Sequence, residues 1–139
     1  MSDKLVLKAL QKGVIAAIAA SDNPDLPVKM IGRTFEIPND QKYLEFVHIP
    51  NDPNDRFWGD EKLYQGIVRL ILHWPNDDKG AYNPIDVVTS VGSYFTKTRK
   101  LIQETITLNI YQQPKFTGAL EGGKDTLYPL SMAYRSFDP

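Results

Sequence analysis

Cysteine is absent from the chain. That removes thiol nucleophiles, cysteine-ligated zinc and iron–sulfur clusters, and leaves no mark of an oxidising compartment. Net charge is nearly absent too, at −1 from 16 basic and 17 acidic residues. No global field therefore draws nucleic acid or an anionic membrane to the surface. No apolar run approaches the roughly 20 residues that a membrane-spanning helix needs. At the N-terminus Lys8 and Lys12 interrupt the apolar stretch that follows Lys4. A signal peptide would keep an unbroken apolar centre, so a soluble intracellular protein is expected. There are only two histidines, His48 and His73. What remains is 139 residues, a length that suits one domain over 1–139 and buries roughly two thirds of its unfolded surface without a disulfide or metal staple.

The strongest pattern is Leu63–Trp74, LYQGIVRLILHW. Tyr64, Val68, Leu70, Leu72 and Trp74 fall on one alternating set, with Gly66 interrupting it. Leu63, Ile67 and Ile71 fall on the other, diluted by Gln65, Arg69 and His73. A run apolar on both sides and closed by Pro75 predicts an interior strand covered on at least one face. Before it, Ser2 is placed to cap a helix in which Leu7, Leu10, Val14, Ala17 and Ile18 recur at helical spacing. The helix stops at Ser21-Asp22-Asn23-Pro24. Residues 22–42 hold three prolines and predict a loop, with a short strand near Val28–Ile31. Tyr43–Ile49 alternates as a strand.

After the central strand, Asn83 is placed as an N-cap and Pro84 at the first helical position, giving a second helix over about 84–97. Thr98-Arg99-Lys100 puts positive charge at its end. Thr105–Tyr111 and Tyr128–Arg135 alternate and predict a long antiparallel hairpin around a Gly-containing excursion, 112–126. The expected fold is α+β: a mostly antiparallel sheet of four to five strands with two helices packed on one face.

Three stretches invite chemistry. Gly118–Lys124 nearly spells a phosphate-cradling loop. Asp125 stands where a hydroxyl should hold magnesium, and a strand pattern follows where a helix is required, so a hairpin tip is the better reading. Asn51–Glu61 is acidic, but counting from Asp52 the glycine demanded at the sixth position of a calcium loop is Phe57. The Phe57-Trp58 pair instead suggests a contact surface, because aromatic side chains concentrate at binding hot spots. His48 and His73 with a carboxylate could form a metal site or a general base, which requires both to converge in one pocket.

The order helix, strand, strand, helix, hairpin resembles that of the tail terminator proteins of long-tailed bacteriophages, including a group of phage-related domains with a lambda-type tail terminator fold. Three stretches carry the resemblance: Tyr64-Gln65-Gly66-Ile67-Val68 running to Trp74-Pro75 and Gly80, the helix end Tyr94-Phe95-Thr96-Lys97, and Leu127-Tyr128-Pro129-Leu130-Ser131-Met132-Ala133-Tyr134-Arg135. The proline-rich 22–42 loop does not align. The resemblance implies a structural subunit without cofactor, metal or reaction. Such subunits form a ring, commonly a hexamer, which caps the tail tube, stops its polymerisation and offers a face to the head. The implied partners are copies of itself, the tail tube protein and a head-completion protein, with no nucleic acid or membrane. The implied place is the host cytoplasm during assembly and then the virion tail. Arg33, Phe57, Trp58, Lys115, Phe116 and Lys124 are the candidate contacts, with a mobile 113–126 tip that orders on docking. A head–tail connector or a tube subunit is the neighbouring alternative, and a ligand binder or enzyme built on His48 and His73 the distant one.

Overall fold

A computed structural model describes residues 3–50, 62–78, 80–96, 99–104 and 106–138. The elements are α1 (Asp3–Ala20), β1 (Val28–Lys29), β2 (Tyr43–Pro50), β3 (Lys62–Pro75), α2 (Tyr82–Gly92), β4 (Lys100–Gln103), β5 (Ile106–Phe116), β6 (Leu120–Glu121) and β7 (Asp125–Asp138). The strands form one sheet in the order β1-β2-β3-β7-β5-β4, with β6 also paired to β7. Every pairing is antiparallel except β1 with β2.

β3 lies inside the sheet, as its two apolar sets predict. It pairs with β2 from Tyr43↔His73 to Pro50↔Gly66, and with β7 from Lys62↔Asp138 to Pro75↔Asp125. Only one of its faces is sealed. Val68, Leu70 and Leu72 are fully buried and Trp74 nearly so, whereas Ile67 and Arg69 on the other set are exposed. Leu44 and Phe46 of β2, Leu108 and Ile110 of β5, and Leu130 and Met132 of β7 continue the sealed layer.

Both helices cover that layer. α1 lies over β4 and β5, and α2 over β7, β3 and β5. α1 buries Val6, Leu10, Val14 and Ala17, the stripe that its 3.6-residue period predicts. It comes close to β4 because Gly13 has no side chain: a Cβ there would stand 3.0 Å from a Leu101 methyl. α2 buries Val88 and Val91, and Phe95 still reaches the core at 1% exposure.

Three sequence expectations need correction. Among the described residues the sheet has seven strands rather than four to five, and it is mostly antiparallel as expected, with β1–β2 its one parallel pair. β1 falls where a short strand is expected, whereas β4 and β6 are four and two residues long, too short for alternation to stand out, and each exists because a longer neighbour supplies its hydrogen bonds. α2 starts at Tyr82 with Ala81 in the N-cap position and no side-chain cap, so Asn83 is inside the first turn. The reversal before it is made by Gly80 at φ +75°. α2 also stops at Gly92. The Tyr94 and Phe95 amides bond three residues back, to Val91 and Gly92, and Arg99 Nε donates to the Tyr94 carbonyl at 2.8 Å. Arg99 thus completes the turn from outside the helix, and Lys100 opens an edge strand.

Candidate functional site

The helices occupy one face of the sheet, and among the described residues no helix packs on the other. Cross-strand register lays that open face out in rows. One row is Ile49, Ile67 and Ala133, carried on β2, β3 and β7. Ile49 and Ile67 are 41% and 37% exposed. The next row is Val47, Arg69, Ser131 and Lys115. On the other side of the apolar row stand Gln65, Arg135, Asn109 and Lys100. Arg135 holds its guanidinium 5.2 Å from the Tyr111 ring. Arg69, Lys115 and Lys100 form no ion pair among the described residues. The face is therefore a short apolar band between two rows that carry unpaired cations. Chemically it suits docking: apolar area for burial, and fixed positive charge for orientation.

At one end of this face an aromatic and ionic cluster closes the surface. Phe35 packs on Tyr43 with ring centroids 5.1 Å apart, and Tyr43 stacks on His73 at 4.2 Å. His73 Nε2 meets a Glu45 carboxylate oxygen at 2.8 Å. Burial, then the nearby Glu45 and Asp125 carboxylates, raise the Tyr43 phenol above its ordinary pKa, because both disfavour a second negative charge there.

The two histidines do not converge. His73 pairs with Tyr43 on the open face, whereas His48 pairs with Val68 on the helix-covered face. His48 Nε2 instead contacts the Tyr134 hydroxyl at 2.5 Å. Opposite faces of one sheet exclude a shared two-histidine site. A cleft of about 430 Å³ near Trp74 is lined by Asp22, Asp25, Asp40 and Lys42 but by neither histidine. Among the described residues no group of three His, Asp or Glu side chains gathers as a metal would require.

Gly118–Lys124 forms a hairpin tip. Leu120↔Leu127 and Glu121↔Thr126 pair across it, and the Gly122 amide donates to the Asp125 carbonyl at 2.8 Å. Strand follows, not helix, so the phosphate-loop geometry is not met. The tip is more tethered than its glycines predict. The Asn76 amide donates to the Lys124 carbonyl at 2.9 Å. Its side chain donates to the Gly122 carbonyl at 3.2 Å and accepts from the Thr126 hydroxyl at 2.6 Å.

The six candidate contacts scatter. Lys115 lies exposed on the open face, and Lys124 is exposed on the tip. Arg33 is exposed in the loop between β1 and β2, at the other edge of the sheet. Phe116 turns inward, half-buried against the core, with its ring 6.5 Å from that of Tyr128. It is a packing residue rather than a free contact. Phe57 and Trp58 lie outside the described residues. Sequence reasoning missed Ile49, Ile67 and Arg69. Their signal was present in β3, whose second set mixes isoleucines with Gln65, Arg69 and His73. A buried face would exclude that mixture, and a docking face accepts it.

The family model described as "Phage tail terminator protein" matches residues 5–134. Seven solved chains match the fold. One of them superposes with a TM-score of 0.82 at 22% identity, over 98% of this chain and 96% of its own, an identity at which the likeness concerns fold alone. No curated protein sequence matches.

Proposed function

The chain belongs to the phage tail terminator family, a family of tail structural proteins, and from that premise we propose that it caps the tail tube, ends its polymerisation and supports joining of the tail to the head. The supporting observation is the open sheet face. Ile49 and Ile67 leave apolar area uncovered, and Arg69 and Lys115 beside them have no ion partner among the described residues. A monomer gains nothing from that arrangement, since exposed apolar area costs about 25 cal/mol per Å² and fixed like charges repel. A subunit whose working surface is covered only in an assembly gains binding energy from both.

In this account the protein acts by contact. It assembles in the host cytoplasm with copies of itself and with the tail tube protein, then remains in the virion tail facing a head-completion protein. The function needs neither a cofactor nor a bond-breaking step. The experiment is a null mutant of the phage examined by electron microscopy. Tails of abnormal length, or tails unjoined to heads, are expected, and restoration follows when the wild-type chain is supplied in trans. Normal virions from the null mutant would contradict the proposal.

A further inference from the structure

Two surfaces at opposite lateral edges of the sheet differ in charge, and both expose isoleucine. One edge is β4 with α1 above it. On α1, Lys4, Lys8 and Lys12 stand at successive four-residue intervals, all exposed. No described carboxylate pairs with them. Each such like-charge pair destabilises a helix by about 0.2–0.5 kcal/mol, so the stripe works against the isolated fold. Between α1 and β4 runs a groove of about 220 Å³ whose lining includes Lys12, Lys100, Tyr94, Leu101 and Ile102. Ile102 is 68% exposed, and Ile15 on α1 is 56% exposed. Leu101 floors the groove, and Lys100 and Ile102, which alternate toward the open face, bound it along the outer rim of an edge strand only four residues long.

The other edge is β1 and β2 with the 31–40 loop between them. This loop exposes Ile31 and, at 62%, Ile37. Glu36 and Asp40 flank Ile37, both exposed and neither ion-paired among the described residues. Arg33 is its one cation. The loop is held in shape: Phe35 packs on Tyr43, the Gln41 amide donates to the Pro38 carbonyl at 2.9 Å, and the Lys42 amide donates to Asp40 Oδ1. Preorganisation of this kind lowers the ordering cost of docking.

We propose that the 31–40 loop of one copy docks in the Lys12–Lys100 groove between α1 and β4 of the next. Isoleucine then meets isoleucine, and the Glu36 and Asp40 carboxylates meet the Lys12 and Lys100 ammonium groups. A second copy is the occupant because both halves of the complementary pair are on one chain and cannot meet within it. Five strand spacings of about 4.8 Å, or about 24 Å, separate the two edges. A contact between two different surfaces of identical copies runs head to tail and closes into a ring when the rotation allows. The inference rests on the assembly role proposed above, and gives it a specific subunit joint.

Charge reversal tests it. Sedimentation velocity compares the wild-type chain with K12E/K100E, with E36K/D40K, and with an equimolar mixture of the two variants. All four reversed residues are exposed, and matching thermal melts establish that both variants fold. Wild-type association is expected to weaken as salt is added, as screening dictates. Each variant alone should associate roughly tenfold or more weakly. The mixture should recover wild-type association, because each new acidic groove meets a new basic loop. Variants that associate like wild type, a mixture that does not recover, or a wild type that stays monomeric at high concentration in low salt would overturn the joint. Capping of tail tubes by the wild-type chain reports on the assembly role separately: capping with normal association of both variants removes the joint and leaves the role. Association by the expected joint without capping removes the role and leaves the joint.

Discussion

The Tyr134 hydroxyl reaches His48 across β3, and it does so over residue 66, where glycine has no side chain to block it. Gly66 pairs with Tyr134 on one side and with Pro50 on the other. A Cβ at 66 would lie 2.7 Å from the Tyr134 hydroxyl and 2.7 Å from the Ile49 carbonyl. One clash is with a fully buried tyrosine and the other with backbone, so neither neighbour can yield cheaply. Gly66→Ala should therefore cost about 1–3 kcal/mol, the range for overpacking a close-packed site. Tyr134→Phe, which keeps the ring and loses its hydrogen bond, should cost about 1 kcal/mol. Urea denaturation midpoints measure both, and an unchanged midpoint for Gly66→Ala would show that the crossing is not tight.

The hairpin tip depends on Asn76 more than on its own turn. Asn76→Ala removes the acceptor of the Thr126 hydroxyl, and Thr126 is only 5% exposed. A buried hydroxyl left without its partner costs about 1–3 kcal/mol. Faster hydrogen exchange is expected at the Gly122 amide, whose bond to the Asp125 carbonyl closes the turn. Exchange at wild-type rates would mean that the tip holds itself.

Alkaline stability should depend on Tyr43. Its phenol is raised above the unfolded value of 10.0, first by burial and then by Glu45 and Asp125. The folded state therefore holds this proton more tightly. The contribution is fully present below the unfolded pKa and is lost as pH rises through the higher folded value. Unfolding midpoints of the wild-type protein should fall from about pH 10 upward, and Tyr43→Phe should flatten part of that fall. Parallel curves for the two proteins would contradict the assignment.

Much of this architecture was legible from periodicity. β3 was visible as an interior strand because both of its alternating sets hold apolar residues. The pairing of β5 with β7 followed from two clean alternations either side of a glycine-containing turn. α1 was visible as a stripe. What escaped has physical causes. β4 is four residues taken from a segment whose Arg99-Lys100 pair resembles a helix terminus, and it becomes a strand because Ile106–Asn109 offers an open edge. The tethered tip depends on Asn76, 46 residues from Gly122 in sequence, and no local pattern reveals such a bond. The open face was half visible. Arg69 between Ile67 and Ile71 indicates a surface that is neither core nor ordinary solvent face, whereas its alignment with Lys115 requires the register of three strands.

The open face itself makes a prediction that separates folding from function. Ile67→Glu and Arg69→Glu replace exposed residues, and surface changes of this kind move stability by about 0.5 kcal/mol or less. Thermal melts should therefore stay close to wild type, while complementation of a null phage should fall sharply. Full complementation by the double variant would remove this face from the working surface.

The central claim is that this chain ends tail growth by occupying the tube end. The direct measurement is polymerisation of the tail tube protein with increasing amounts of this chain, followed by electron microscopy of tube lengths and ends. Shorter tubes with decorated ends are expected, in proportion to the chain added. Tube lengths that do not change, with bare ends at every concentration, would contradict it.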